Sequence, residues 1–596
     1  MRREIALPVL ITLLIPAFFL CCQRAGKSAA PSAAYSSWQS YGGGPDDLHY
    51  STLKQINRHN VSRLRVAWKF DTGDAFPSSL MESNPIIIHN TLYATTPKLN
   101  VIALDASTGK LLWRFAPNEG QGVYSKGANR GVTYWSDGSD QRIFSVAGPY
   151  LYALNAKSGK LIPSFGDSGR VDLRKGLGRG SQNLYVTASS PGVIYRNLLI
   201  MGSEVAEDLP AAPGDIRAFD VRTGKIRWTF HTIPHPGELG YNTWPKDAWK
   251  YSGGANDWGG MAIDRKRGLV FAPTGSAAFD FYGADRLGND LFANCLIALN
   301  AATGKLVWYF QGVRHDLWDR DFPTAPTLIR IKHNGHSVNA VAQITKSGYV
   351  FVFDEETGKP IFPIEYRKVP ASDVDGERAA KTQPFPLLPP PFAAQDFTAE
   401  TVTNRTPEAH KAVLERLKKL RHGGQFIPPS FQGTVYFPGT MGGGEWGGPA
   451  FDPATGVLYV NSNQLAKIFR LVPRPRARGR VSGRTLYLSN CSSCHKADLS
   501  GSPPEFPSLK NIGNKYNTEQ VAEIASQGRG RMPSFAQLGS PAVRAIALYL
   551  TTGKQAMARA HWNKAEWGPW LKYRIDGYNK FLDPEGYPAN KPPWGT

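Results

Sequence analysis

"VIALDASTGKLLW", residues 101–113, decides how the longer part of this chain is read. Apolar and small residues lead into Asp105. Thr108-Gly109-Lys110 follows, and a second apolar run ends at Trp113. Two alternating runs around a short turn make a β-hairpin, and Gly supplies the positive φ the turn needs. The phrase returns as "LYALNAKSGKL" (151–161), "IRAFDVRTGKIRW" (216–228), "LIALNAATGKLVW" (296–308) and "VFVFDEETGKP" (350–360). Weaker copies without the lysine stand at 261–275 and 449–463. The turn glycines are Gly109, Gly159, Gly224, Gly304 and Gly358, at intervals of 50, 65, 80 and 54. A hairpin repeating at this spacing implies a β-propeller, and the uneven intervals imply loops inserted at one end of its central channel. Trp113, Trp228 and Trp308 are expected to pack between neighbouring blades.

The chain has 596 residues, 41% of them hydrophobic, enough for two globular domains. "MRREIALPVLITLLIPAFFLCC" (1–22) has a basic start and an apolar run. The small residues after it offer Ser28-x-Ala30 and Ser32-x-Ala34 as cleavage sites. Residues 1–34 are therefore read as a secretory signal peptide, with a retained membrane anchor as the competing reading. Of five cysteines, Cys21 and Cys22 belong to this leader and Cys295 is read as a buried apolar residue, so disulfides do not hold the fold. The net charge of +21 suits anionic partners and leaves membrane-surface association open, whereas export argues against nucleic acid. The basic run "RLVPRPRARGR" (470–480) is read as a solvated linker.

Composition changes near residue 481. "CSSCH" (491–495) is the attachment signature of a c-type haem: Cys491 and Cys494 for the thioethers, His495 as proximal iron ligand. A zinc site would need further Cys or His, and residues 496–550 contain none. Met532 is the only Met between 491 and 550, which makes it the expected sixth ligand. A helix is expected from about 518, capped by Asn517 with Gln520, and a last helix at Ser540-Pro541. The whole is a small all-α cytochrome c domain over 483–553, after a basic linker at 471–482.

The repeats, "WQSYGGGPDDLHYSTLKQIN" near the start, "GDIRAFDVRTGKIRWTFHTIPHPGE" and "VRHDLWDRDFPTAPTL" resemble the pyrroloquinoline quinone (PQQ)-dependent dehydrogenases, in their glucose-dehydrogenase-like branch. The resemblance covers about 35–465 and resumes around 575–596. It implies an eight-bladed propeller over 35–470 that holds PQQ and Ca²⁺ and oxidises an alcohol or sugar. It assigns Trp258 to stacking on the quinone, Arg130 to a PQQ carboxylate, and Lys346 to the quinone carbonyls. Glu207, Ser276 and Asp319 would be the calcium ligands, with Ser276 standing where many relatives carry Asn. "HDLWD" offers Asp316 and Asp319 as the base. The family spacing of 27 from base to Lys346 selects Asp319, leaving Asp316 a structural role. The adjacent Cys pair of methanol dehydrogenases is replaced by Tyr124-Ser125, and Glu445 replaces an Asn that faces the cofactor.

On this reading the protein is a periplasmic quinohaemoprotein dehydrogenase. The haem drains the propeller's cofactor toward an external acceptor, a cytochrome or a quinone. An electron-transfer cytochrome fused to a non-catalytic propeller is the alternative. Residues 554–596 end in "PPWGT", which in relatives leads into a closing hairpin. The expectation is therefore an incomplete propeller, with the haem domain inserted in it and 554–596 returning toward a missing blade.

Overall fold

The computed structural model describes residues 35–76, 79–118, 128–178, 180–529, 532–560 and 562–593. The expected leader and the Tyr124-Ser125 pair lie outside them. The fold is mainly β.

Four consecutive antiparallel sheets of four strands open the propeller. The first is Ile86–Ile88, Thr91–Thr95, Val101–Asp105 and Leu111–Phe115, each strand beside the next. The second runs Thr133–Ser136, Gln141–Ala147, Tyr150–Asn155 and Arg170–Asp172. The third is Val193–Tyr195, Leu198–Met201, Ile216–Asp220 and Ile226–Phe230, and the fourth Ala262–Asp264, Leu269–Pro273, Cys295–Asn300 and Leu306–Gln311. A three-stranded sheet follows, Thr327–His333, His336–Ile344 and Val350–Asp354. Each of the five full repeats supplies the third strand of its sheet. The weaker copies form the first two strands of the fourth sheet and a separate hairpin, Ala450–Asp452 with Val457–Tyr459.

The repeat's polar residues close its turn. Asp105 Oδ1 accepts from the Ser107 and Thr108 backbone N–H at 3.1 and 2.8 Å and from the Thr108 hydroxyl at 2.8 Å. Such an Asx turn is the reason Asp or Asn stands there. The tryptophans join one sheet to the next. Trp113 donates its indole N–H to Ala156 O at 3.0 Å, Trp228 to Ala301 O at 3.2 Å and Trp308 to Glu355 O at 3.0 Å. A Cβ on Gly159 would stand 2.5 Å from the Trp113 ring, so this glycine gives both a φ of +69° and the space its neighbour fills. In the second sheet the joining tryptophan is on the first strand: Trp135 donates to Arg196 O at 2.9 Å. Phe165 is fully buried there, and the Val171 side chain faces Gly224.

Residues 471–482 expose Arg476, Arg478 and Arg480 as a solvated linker would, but both ends are paired strands. Leu471–Pro473 pairs with Tyr573–Ile575, and Gly479–Ser482 pairs with Met557–Ala560. Arg474 is buried, its guanidinium 5.4 and 4.6 Å from the Trp562 and Trp570 ring centroids. Aromatic faces shelter a weakly hydrated guanidinium, so this one arginine of the run turns inward. These two ribbons form a stalk carrying the helices Gly483–Asn490, Ser492–His495, Thr518–Gln527 and Ser540–Thr552. Gly483 lies so close to Ala545 O that no Cβ fits between the first and last helices. Asn517 and Gln520 form the expected reciprocal cap, at 2.9 and 3.0 Å. The last helix differs by one residue: Gly539, at φ +81°, takes the cap position and Ser540 is the first helical residue.

Beyond the stalk the chain rejoins the propeller. Asn579–Lys580 pairs with Lys467–Phe469, which pairs in turn with Thr434–Tyr436. Phe581 and Ala589 are buried with Phe397 and Phe437. Among the described residues no helix is long and apolar enough to cross a membrane.

Candidate functional site

Three side chains distant in sequence meet at Trp258. The Arg130 guanidinium and the Lys346 ammonium each lie 5.4 Å from its ring centroid. Arg130 also stands 4.7 Å from the Trp446 ring. Its Nη1 donates to Ser189 Oγ, Ser190 Oγ and Trp258 O at 2.9, 3.2 and 3.2 Å, and Nη2 lies 3.2 Å from Glu82. Its Nε is buried without a partner. A half-buried aromatic face flanked by two fixed cations, one with an unused donor, fits a flat polyanion.

Lys346 is held by two carboxylates, Asp319 Oδ1 at 2.7 Å and Asp321 Oδ2 at 2.8 Å. Asp321 also accepts the Trp258 indole N–H on Oδ2 at 3.1 Å, and on Oδ1 the Ser276 N–H and hydroxyl at 2.7 and 2.9 Å. Sequence reasoning passed over Asp321. Its one signal was a third acid in "HDLWDRD", two residues past Asp319. Asp316 is saturated with hydrogen bonds: it accepts from Trp318 N, Asn294 Nδ2 and Arg320 N at 2.9, 2.8 and 2.7 Å, and shares with Asp321 the one proton of the Ser276 hydroxyl, 2.5 Å away.

Charge divides unequally between the two carboxylates on Lys346. Burial pushes Asp319 well above the usual carboxylate range, and the neighbouring Asp321 and Glu207 add to this against the opposing pull of Lys346. Burial acts on Asp321 in the same direction, but Lys346 and the Ser276 donors overcome it and hold its carboxyl below the usual range. Lys346 is raised despite burial, by Asp319 and Asp321 first. Asp321 is thus the standing counter-charge, and Asp319 the carboxylate that takes a proton readily.

Glu207 accepts the Tyr578 hydroxyl at 3.1 Å. Asp280, a second residue the sequence reading missed, is pushed far up by burial and then by Asp319, Glu207, Asp321 and Asp316. Among the described residues, no three His, Cys, Asp or Glu side chains converge closely enough to hold a metal ion by themselves. The donors near Glu207, Ser276 and Asp319 are all oxygens, and their carboxylates repel one another. That chemistry suits a hard divalent cation.

In the helical domain, Cys491 ends the first helix, and Cys494 and His495 occupy the next turn. Burial pushes the Cys491 thiol up to about 12 and Cys494 well above its usual value. His495 Nδ1 lies 2.9 Å from Pro507 O, so Nδ1 carries the proton and Nε2 presents its lone pair. Burial lowers the His495 pKa and favours this neutral, ligating form. Met532 exchanges backbone hydrogen bonds with Arg529 at 2.9 and 3.2 Å. A small cavity of about 20 Å³ lies between Asn490, beside Cys491, and Pro533, beside Met532. Its far wall is the propeller loop with Asp208 and Leu209. The buried Cys491 and Cys494 thiols and the neutral His495 imidazole have the chemistry that covalent haem attachment and iron ligation need.

Residues 38–495 match the PQQ family model described as glucose/ethanol/alcohol dehydrogenase, β-propeller domain. Residues 480–550 match the model for the cbb3-type cytochrome c oxidase subunit III. Quinoprotein glucose dehydrogenase A of Acinetobacter calcoaceticus is 33% identical over 490 residues, 76% of this chain and 60% of its own. The quinoprotein glucose dehydrogenase of Escherichia coli K12 is 33% identical over 474 residues, 75% of this chain and 59% of its own. The crystal structure of the quinohaemoprotein alcohol dehydrogenase of Comamonas testosteroni matches with a TM-score of 0.55 at 22% identity, over 75% of this chain and 62% of that one, and shows a shared fold. The chain spans about three-fifths of the length of the curated relatives it matches.

Proposed function

The chain belongs to the PQQ-dependent glucose/ethanol/alcohol dehydrogenase propeller family, and we propose that it is a quinohaemoprotein dehydrogenase acting on an alcohol or sugar hydroxyl. The observation that carries this is Lys346. It touches Asp319 and Asp321 and lies over Trp258, in a chain that also presents a haem-attachment motif.

Bound PQQ with Ca²⁺ supplies an electrophilic two-electron acceptor, and a bound c-type haem a one-electron acceptor. Trp258 offers the stacking face, and Arg130 the planar fork that matches a carboxylate. Lys346 would hold its ammonium toward the quinone carbonyls. Glu207, Ser276 and Asp319 would hold Ca²⁺. Cys491 and Cys494 would form the thioethers, and His495 and Met532 would hold the iron. Asp319 takes the substrate hydroxyl proton, help worth about 10²–10⁴ in rate. Asp321 keeps Lys346 charged and fixes the Trp258 indole.

The motifs lean toward sugars and polyols, and both curated relatives described above are named for glucose. The leader motif supports export to the periplasm, where a cytochrome or quinone would take the electrons. Absorbance of the haem-loaded protein with PQQ, Ca²⁺ and a panel of alcohols and sugars tests this. Haem reduction that needs all three supports the dehydrogenase. A haem that stays oxidised throughout leaves a cytochrome on a non-catalytic propeller. Activity confined to short primary alcohols overturns the sugar reading.

A further inference from the structure

Between Glu207 at the propeller site and His495 in the haem motif stands one continuous chain of contacts. Glu207 accepts the Tyr578 hydroxyl at 3.1 Å. The Tyr578 ring lies 4.6 Å, centroid to centroid, from Phe506 at an angle of 30°. Phe506 is bonded to Pro507, whose carbonyl accepts His495 Nδ1–H at 2.9 Å. Tyr578 packs in one hydrophobic cluster with Phe506 and the attachment cysteine Cys494. It is buried and packed by Phe281 and Phe469 at 5.8 and 5.7 Å.

We infer that Tyr578 and Phe506 are the bridge by which electrons cross from the propeller to the haem, along Glu207, Tyr578, Phe506, Pro507 and His495. The inference rests on the dehydrogenase reading above. Each electron leaves the reduced cofactor and reduces the ferric haem iron, which passes it to an external one-electron acceptor before the second follows. The two protons of the oxidised alcohol leave through the propeller site and do not cross the bridge. Tyr578 and Phe506 are positioning residues. A closed hydrogen bond and closely packed rings couple donor and acceptor better than a gap does, and neither ring is itself oxidised. Tyr578 comes from the segment after the haem domain and Phe506 from within it, so the path exists only when stalk and propeller are docked.

The test uses the full chain loaded with PQQ, Ca²⁺ and haem. Stopped-flow absorbance follows haem reduction after mixing with substrate. A phenazine dye that takes electrons at the propeller measures the chemistry separately. Phe506→Leu is expected to slow haem reduction several-fold, with dye-linked turnover and haem midpoint potential unchanged, and Phe506→Tyr to restore the rate. Should Phe506→Leu fail to fold, Tyr578→Phe, which breaks the bond to Glu207, carries the same expectation for haem reduction. Haem reduction at the wild-type rate in the folded variants overturns the bridge while leaving the dehydrogenase standing. A wild-type haem that substrate never reduces, beside active dye turnover, also overturns it. A wild type inactive in both assays overturns the dehydrogenase reading and the bridge with it.

Discussion

Trp258 donates its indole N–H to Asp321 at 3.1 Å, and the same carboxylate oxygen receives Lys346 at 2.8 Å. One acid therefore sets both the stacking face and the cation beside it. Hydrogen bonds to charged groups contribute about 1.5–3 kcal/mol, roughly tenfold to a hundredfold in affinity. Asp321→Asn is expected to weaken PQQ binding by that order, read by tryptophan fluorescence titration. Unchanged affinity means that Asp321 only supports the fold.

Asp319 and Asp316 separate by their partners. Asp319→Asn is expected to keep PQQ binding and lower turnover by about 10²–10⁴. Asp316→Asn strips acceptor capacity from a buried group with four donors, so its effect falls on thermal stability. The reverse pattern in turnover and unfolding curves exchanges their roles.

Met532→Ala is expected to abolish the near-infrared sulfur–iron band of the oxidised, haem-loaded protein. A band that persists identifies another sixth ligand.

Gly159→Ala places a Cβ 2.5 Å from the Trp113 ring at a φ of +69°. Overpacking of this kind costs about 1–3 kcal/mol, and the residue is strained by its backbone as well. Thermal unfolding of the variant is expected at lower temperature. Gly335→Ala, at φ +79° with open space around its Cβ, isolates the backbone part and is expected to cost less.

His315 lies between two buried acids, Nε2 at 2.7 Å from Glu377 and Nδ1 at 3.2 Å from Asp290, which also pairs with Arg286 at 2.6 Å. Burial opposes its charge, but Asp290 and Glu377 prevail and raise its pKa to about 9. A raised pKa stabilises the fold fully below the ordinary value of about 6.5, and that stability is lost as pH rises through about 9. The contribution is about 3 kcal/mol. His315→Gln is expected to unfold more easily than wild type at pH 6 to 7, with the gap narrowing by pH 10. A gap independent of pH excludes a charged His315.

Much of this was legible along the chain. The Thr/Ser-Gly-Lys turns, the tryptophans and "CSSCH" are local patterns, and Trp258, Arg130, Lys346 and Asp319 do converge. In the basic run at 470–480, charge alone does not reveal that Arg474 is enclosed by Trp562 and Trp570, whose positions depend on strand pairing about a hundred residues later. Asp321 and Asp280 were missed because burial beside other acids, and not any spacing, marks them out.

The sequence by itself determined the sheets, their turns and the haem motif, because period-two alternation, glycine's positive φ and the Cys-Cys-His spacing act within a dozen residues. Only the tertiary structure decided that Asp321 would share Lys346 with Asp319, or that Tyr578 would reach Glu207 from 371 positions away. Those neighbours are set by how sheets pack and where the stalk returns, and such long-range packing leaves no periodic trace in the chain.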